Sequence, residues 1–282
     1  MTWTVEPQRL RRHLEFVINE RSPAAGSRHL AEVELFVARE LASYGLAVES
    51  DYFLYRGQKF RNIIGRTAAG QTGPLFILGA HLDAVRGTPG ADDNASGVAV
   101  LLETARLLAR TRMKHEVLFC GFNLEEWNMI GSRSLAERLK AAGAEIAGMF
   151  SLEMVGYTDP RPGRQQYPAG LKWLYPDRGD FIALIGNWNS RRLLQTTARV
   201  MRQVRGLAVE TLSVPGNGGF VPAVRLSDHA PFWDAGYPAL MVTDTAFFRN
   251  PHYHRASDTL ETLDLGFMAR VCEGVVRTAA AI

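Results

Sequence analysis

The chain has 282 residues, of which 46% are hydrophobic and 22% charged, values ordinary for a globular protein with a large core. Its formal net charge is only +3 and its basic residues are scattered, which argues against a nucleic-acid partner because such proteins concentrate Lys and Arg on one face. No apolar run approaches the roughly 20 residues of a membrane span, and the polar N-terminus lacks a signal-peptide core. We therefore expect a cytoplasmic protein with no membrane partner.

Helices and strands are predicted to alternate along most of the chain. Apolar residues at helical spacing indicate helices, whereas short continuous apolar runs indicate strands covered on both faces. A turn at Arg56-Gly57 joins the first two predicted strands, and Gly45 is expected to end the second helix. In chain order the elements are helix 6–21, helix 27–44, strands 48–55, 60–64 and 75–80, helix 94–108, strand 117–122, helix 132–142, strands 146–152 and 181–185, helix 190–204, strand 238–242 and a closing helix from 260 onward.

This alternation predicts an α/β fold in which helices cover both faces of a sheet. We expect a three-layer α/β/α sandwich around a central mixed, mostly parallel sheet, with residues 1–282 forming one domain. Residues 156–178 interrupt the pattern with four prolines and three glycines. A long loop is predicted there, of the kind that often serves as a lid over a site.

Cys120 and Cys272 lie in apolar segments and are expected to be buried free thiols.

Polar residues follow three of the predicted strands at the point where each strand ends. His81 follows strand 75–80, Glu125 and Glu126 follow strand 117–122, and Glu153 follows strand 146–152. Binding sites in open α/β sheets form outside the carboxyl ends of the strands. The sequence therefore predicts that these side chains converge on one crevice.

The residue types in this order suit a pair of borderline divalent cations, zinc above all. The candidate ligands are two histidines and three carboxylates: His81, Asp92, Glu126, Glu153 and His254. Asp93 or Asn94 is interpreted as an N-cap of the following helix, which leaves Asp92 facing the strand ends. Of the adjacent pair Glu125-Glu126, one is expected to ligate and the other to accept a proton as general base. The chemistry of the residues alone does not separate His252 from His254.

From about Asn62 to Asp264 the chain resembles the co-catalytic zinc aminopeptidase family, whose relatives include bacterial aminopeptidases, glutamate carboxypeptidase II and glutaminyl cyclases. Six short motifs carry the resemblance: Gly79–Asp83, Gly90–Gly97, Asn123–Glu126, Glu153–Gly156, Ser227–His229 and Tyr253–Thr259. Together they imply the family's zinc-exopeptidase fold and two zinc ions per chain.

Position by position, the resemblance implies a role for each candidate. Asp92 would bridge two zinc ions, one completed by His81 and Glu153 and the other by Glu126 and His254. Many relatives carry Asp where this chain has Glu153. By the same resemblance, Glu125 would be the general base, Asp83 would orient His81, Tyr253 would help to hold the oxyanion, and a cis peptide bond would join Asp92 to Asp93.

The predicted function is that of a metallopeptidase, a zinc hydrolase of the aminopeptidase type that cleaves the N-terminal bond of a peptide or aminoacyl substrate. The alternatives on the same fold are a one-zinc glutaminyl cyclase, an aminoacylase-like amidohydrolase and a carboxypeptidase that holds the substrate carboxylate with arginines near the 156–178 loop. A non-catalytic binding protein would lack a ligand or the base, and no such position is empty here. Aromatic residues considered for a specificity pocket, with core packing as the other interpretation, are Phe220, Phe232, Trp233, Phe247 and Phe248.

Overall fold

An eight-stranded mixed sheet organises the residues that the computed structural model describes, namely 3–25, 27–67, 73–168 and 170–282. The strands are β1 (Ala47–Tyr55), β2 (Gln58–Arg66), β3 (Leu75–His81), β4 (Val117–Phe122), β5 (Ile146–Glu153), β6 (Phe181–Asn187), β7 (Ala208–Val214) and β8 (Ala239–Thr243). The helices are α1 (Pro7–Val17), α2 (Arg28–Ser43), α3 (Gly97–Leu108), α4 (Ile130–Ala141), α5 (Arg191–Met201), α6 (His229–Ala235) and α7 (Leu265–Ala281).

The sheet has the strand order β1-β2-β4-β3-β5-β8-β6-β7. The pairs β4–β3, β3–β5, β5–β8 and β6–β7 are parallel, whereas β1–β2, β2–β4 and β6–β8 are antiparallel. Side chains alternate between the faces, so Leu78 enters one core and Ile77 the other. Helices α1, α2, α3, α5 and α7 cover the first face, and α4 and α6 cover the second. The predicted three-layer α/β/α fold is therefore confirmed.

Local signals account for the first hairpin and the helix before it. Arg56 and Gly57 both have positive φ, 49° and 78°, as the tight turn of a two-residue hairpin requires. Ser27 caps α2 by accepting a hydrogen bond from the Leu30 amide at 3.3 Å. Gly45 follows that helix with φ 89°, the left-handed conformation expected beyond a helix C-terminus.

Several boundaries differ from the predicted ones. Helix α1 ends at Val17 rather than 21, and α3 begins at Gly97 because Asp93 and Asn94 have non-helical backbone angles. Helix α7 begins at Leu265, where Asp264 caps it by accepting from the Phe267 amide. Strand β7 and helix α6 were absent from the prediction; β7 lies at the sheet edge, and its mixed polar sequence lacks the apolar run of a central strand.

Residues 156–168 and 170–178, where a long loop was predicted, contain no helix or strand. The two ends of this loop are joined by a β-bridge between Asp159 and Gly179, in which the amide of each residue donates to the carbonyl of the other at 2.8 Å.

Cys120 and Cys272 are buried and free, as predicted. In the described ranges, no helix combines the length and apolar character needed to cross a membrane.

Gly97 is expected to tolerate no side chain. A Cβ there would lie 2.5 Å from the Leu152 carbonyl oxygen, which β5 holds in place. Gly97→Ala should lower the free energy of unfolding by about 1–3 kcal/mol, measured by urea denaturation. Gly274→Ala in α7 is the matched control, because its nearest neighbour is the flexible end of Met201. Equal losses in the two variants would contradict the assignment of the Leu152 carbonyl as the obstacle.

Candidate metal centre

The carboxyl ends of β3, β4 and β5 bring the predicted site together. His81 is the last residue of β3 and Glu153 the last of β5, while Glu125 and Glu126 follow β4 directly. His81 is paired in register with Phe122 at the end of β4. His81 and Glu153 are buried, and Glu125 and Glu126 are half-buried. The prediction that these side chains meet at one edge of the sheet is therefore confirmed.

Asp93 lies at the centre of this cluster. One of its carboxylate oxygens is 3.2 Å from Nε2 of His81, and the other is 3.1 Å from Nε2 of His254. Glu153 lies 3.5 Å from the same His81 nitrogen, and Glu126 lies 3.6 Å from the same His254 nitrogen. Two groups of possible metal ligands result, each with its ligand atoms within 4.8 Å of one another, and they share Asp93.

The sequence assigned this shared position to Asp92, and the structure corrects it by one residue. Asp92 is fully buried and, among the described residues, is not part of the groups of possible ligands around the histidines. Its carboxylate accepts hydrogen bonds from the Gly156 amide at 2.9 Å and from the Asn250 side chain at 2.7 Å. The cis peptide bond is also one residue later than expected, between Asp93 and Asn94. Asp93, taken from sequence as part of an N-cap, is instead the residue between the two histidines.

Two buried aspartates hold the main chain on which these side chains stand. Asp258 accepts hydrogen bonds from the amides of Asp92 and Asp93, at 2.9 and 3.2 Å. Asp83 accepts from the amides of Glu125 and Glu126, at 3.1 and 3.2 Å. Each carboxylate thereby fixes two consecutive residues, one pair in the turn before α3 and the other after β4.

The role predicted for Asp83 is only partly in line with this geometry. The Nδ1 atom of His81 lies 3.1 Å from the backbone carbonyl oxygen of Asp83 and 3.8 Å from its carboxylate. The carbonyl is therefore the acceptor that orients the ring, since a histidine ligand commonly donates its second N–H to such a group. The Asp83 carboxylate is occupied by the amides of the two glutamates.

Two other side chains support the cluster through contacts that were not predicted. Ser227 donates to the Glu153 carboxylate at 2.8 Å, so the resemblance motif Ser227–His229 contributes a hydroxyl to the site. Arg21 is fully buried and donates to the carbonyls of Leu82, Pro89 and Gly90 at 2.6–2.8 Å, which ties the segment after α1 to the loop after β3. Nothing in the local sequence around Arg21 indicates this, because its partners lie 61–69 residues away.

The loop after β8 supplies His254 rather than His252. His252 is directed elsewhere, with its Nδ1 2.9 Å from the Ser257 hydroxyl. The ring of Tyr253 stacks on that of His254, with 3.7 Å between ring centroids. Burial raises the pKa of the Tyr253 hydroxyl, so this group stays protonated and able to donate a hydrogen bond at neutral pH.

Burial and charge give the carboxylates of the cluster different proton affinities. Burial and the neighbouring Glu153 charge raise the pKa of Glu125 well above its usual range, against the opposing effect of His81. Burial and the Asp93 charge do the same to the pKa of Glu126. Burial would also raise the pKa of Asp93, but the contacts with His254 and His81 hold it below its usual range. Asp93 is therefore the carboxylate that stays ionised between the two histidines.

The cluster fits a divalent cation. His81 Nε2 and Glu126 Oε1 are both buried and form no hydrogen bond with the described residues, although buried polar atoms normally have a partner. Both atoms face the groups of possible ligands around Asp93. Imidazole nitrogen together with carboxylate oxygen is a donor set that suits zinc.

A cavity adjoins the cluster. Glu153 and Tyr253 of the cluster line it, and so do Phe247 and Phe248. Its cavity volume is about 100 Å³, enough for several water-sized groups. Of the other aromatic residues considered for a pocket, Phe232 and Trp233 belong to the core and Phe220 is exposed.

Comparison with known proteins places this geometry in a family. Residues 62–279 match Peptidase family M28. Uncharacterized protein YfbL of Escherichia coli is 35% identical over 96% of this chain and 86% of YfbL. The chain belongs to peptidase family M28. It is therefore a hydrolase of the metallopeptidase type. A probable lipoprotein aminopeptidase of Mycobacterium tuberculosis, LpqL, is 29% identical over 73% of this chain and 42% of LpqL.

The chain spans about half the length of the other curated relatives it matches, such as 53% of a probable leucine aminopeptidase of Trichophyton verrucosum. Solved structures share the fold over nearly the whole chain. BSAP, a zinc aminopeptidase from Bacillus subtilis, superposes with a TM-score of 0.76 at 16% identity, covering 100% of this chain and 95% of BSAP. A glutaminyl cyclase of Porphyromonas gingivalis superposes with a TM-score of 0.73 at 18% identity, covering 98% of both chains.

Asp93→Asn is expected to reduce bound zinc more than Asp92→Asn does. Asp93 faces both histidines, whereas both Asp92 oxygens are engaged by Gly156 and Asn250. Metal content would be measured by mass spectrometry after dialysis against zinc, with circular dichroism to check that each variant is folded. An Asp92→Asn variant that is folded and loses the metal, beside an Asp93→Asn variant that keeps it, would restore the original assignment.

Proposed function

We propose that this M28 protein is a zinc-dependent aminopeptidase that hydrolyses the N-terminal peptide bond of peptides or aminoacyl compounds. The observation that carries the proposal is the pair of ligand groups that share Asp93, with Glu125 beside them. The first group adds His81 and Glu153, and the second adds Glu126 and His254. Both groups are complete, which supports two zinc ions per chain.

Zinc at these groups would supply a Lewis acid for the peptide carbonyl and would lower the pKa of a water molecule bound there. Glu125 is placed to act as the general base, because it lies against His81 and Glu126 and is half-buried. Its carboxylate takes a proton from the attacking water and then gives that proton to the departing amine. The raised proton affinity of Glu125 suits a group that must hold the proton between these steps.

Tyr253 is placed to stabilise the charge that develops on the carbonyl oxygen. Its hydroxyl stays protonated, its ring is held against His254, and the residue lines the cavity beside Glu153. A hydrogen-bond donor fixed near the developing oxyanion acts without reorganisation during the reaction.

The charges around the cavity support an aminopeptidase over a carboxypeptidase. Among the described residues, no lysine or arginine lines the cavity, so it offers no cation for a C-terminal carboxylate. Arg161 pairs with Asp159 at 2.5 Å, and Arg164 lies 3.8 Å from the same carboxylate. Carboxylates dominate the cluster instead, and they suit the amino group of an N-terminal residue.

Glu125→Gln is expected to keep the zinc and to lower kcat by about a hundredfold or more, because the amide cannot accept the proton of the attacking water. The measurement is turnover of aminoacyl-p-nitroanilides by zinc-loaded protein, with zinc content determined on the same samples.

Glu145→Gln serves as the control for this experiment, since Glu145 is exposed and lies before β5, away from the cluster. Unchanged turnover in Glu125→Gln would remove Glu125 from the role of base. A zinc-loaded wild type that hydrolyses no aminoacyl substrate but cyclises N-terminal glutamine would replace the aminopeptidase proposal with the cyclase alternative.

A further inference from the structure

The cavity beside the candidate metal centre runs across the sheet, along one row of paired residues. Glu153 on β5 is in register with Thr243 on β8, Thr243 with Ala183 on β6, and Ala183 with Glu210 on β7. Residues in register on neighbouring strands point to the same face. With strands about 4.8 Å apart, the row spans roughly 14 Å from the cluster to the sheet edge.

The two residues in the middle of this row have small side chains, and most of the other residues that line the cavity are apolar. Thr243 and Ala183 leave a trough between the two glutamates, because neither has a long side chain. Phe181, Ile185 and Met241 line the same cavity on the sheet side. The trough therefore suits the stem of a long side chain whose α-carbon lies near Glu153.

The long loop contributes Gln165, Tyr167 and Tyr175 to the lining of the cavity, and the polar groups of these side chains already have hydrogen-bond partners. Tyr167 donates its hydroxyl to the Pro176 carbonyl at 2.5 Å, and Tyr175 donates its hydroxyl to the Thr211 carbonyl at 2.9 Å. Gln165 donates to the Thr245 hydroxyl at 2.8 Å. These donors are therefore engaged by acceptors of the protein itself and make no hydrogen bond to Glu210.

Glu210 is the carboxylate at that far end, and it has no partner among the described residues. It lines the cavity and is half-buried. The nearby Arg202 guanidinium donates to the Val209 carbonyl, at 3.1 and 3.3 Å, rather than to Glu210. Burial raises the pKa of Glu210 while the Arg202 charge opposes that effect. A half-buried carboxylate without a donor gains most from a ligand that brings a cation.

We propose that Glu210 is a specificity-determining residue that selects substrates with an N-terminal lysine or arginine. The inference rests on the proposed aminopeptidase function and names its substrate class. The α-amino group lies at the metal centre, the apolar stem of the side chain occupies the trough, and its charged head pairs with Glu210. An acid at the end of an apolar specificity pocket selects basic side chains in the same way in other peptidases.

The test compares lysyl and norleucyl aminomethylcoumarin substrates, because norleucine matches the lysine stem without its charge. Zinc-loaded wild type should have a higher kcat/KM for lysyl than for norleucyl substrate, and Glu210→Gln should lower the ratio of the two values about tenfold or more. Glu145→Gln is the control and should leave the ratio at its wild-type value. Thermal melting would establish that both variants are folded.

A ratio that is the same in wild type and folded Glu210→Gln would overturn the inference while leaving the aminopeptidase function in place. If the wild type cleaves neither substrate, the proposed function fails, and binding then decides the inference independently. L-lysinamide and L-norleucinamide would be titrated calorimetrically into both proteins. Tighter binding of lysinamide to wild type, lost in Glu210→Gln, supports a basic-side-chain site; equal binding of the two amides overturns it.

Discussion

The concentration of carboxylates at one end of the sheet is the constraint on which the site depends. Asp83, Asp93, Glu126 and Glu153 approach one another there, and all are largely or fully buried. A buried charge is costly unless hydrogen bonds or opposite charges compensate it. Burial raises the pKa of a further carboxylate at this end, Asp228, to about 7. The chain can therefore keep this arrangement ionised only by bringing donors or cations to it.

Main-chain amides and one hydroxyl compensate part of this charge. Asp83 and Asp258 each accept two consecutive N–H groups, and Ser227 donates to Glu153. Nε2 of His81 and an oxygen of Glu126 are among the buried atoms that have no hydrogen-bond partner in the described residues, and both belong to the groups of possible ligands around Asp93. Divalent cations would complete the compensation there, and ligands that bind only the folded state stabilise it. Metal binding and stability of this end of the sheet are thus expected to be coupled.

Sequence patterns predicted the residues of this candidate site with one misassignment, Asp92 in place of the adjacent Asp93. The physical reason for that error is local. The strand-end positions of His81 and Glu153 follow from apolar periodicity, which the sheet preserves. Spacing does not reveal which of two adjacent aspartates faces the histidines, because that depends on the non-helical backbone at Asp93 and Asn94. Asp258 was likewise hidden, since it contacts the amides of Asp92 and Asp93 from more than 160 residues away.

Fold alone does not determine what this chain does with its candidate metal centre. The zinc aminopeptidase and the glutaminyl cyclase superpose on it almost equally, with TM-scores of 0.76 and 0.73, and function lies in sites carried by a fold. We propose that the substrate class is set instead by side chains along the row from Glu153 to Glu210. Because β6 and β8 separate these glutamates by a fixed distance, the proposed function would have one sheet set both where the bond is cleaved and how long a side chain the cavity accepts.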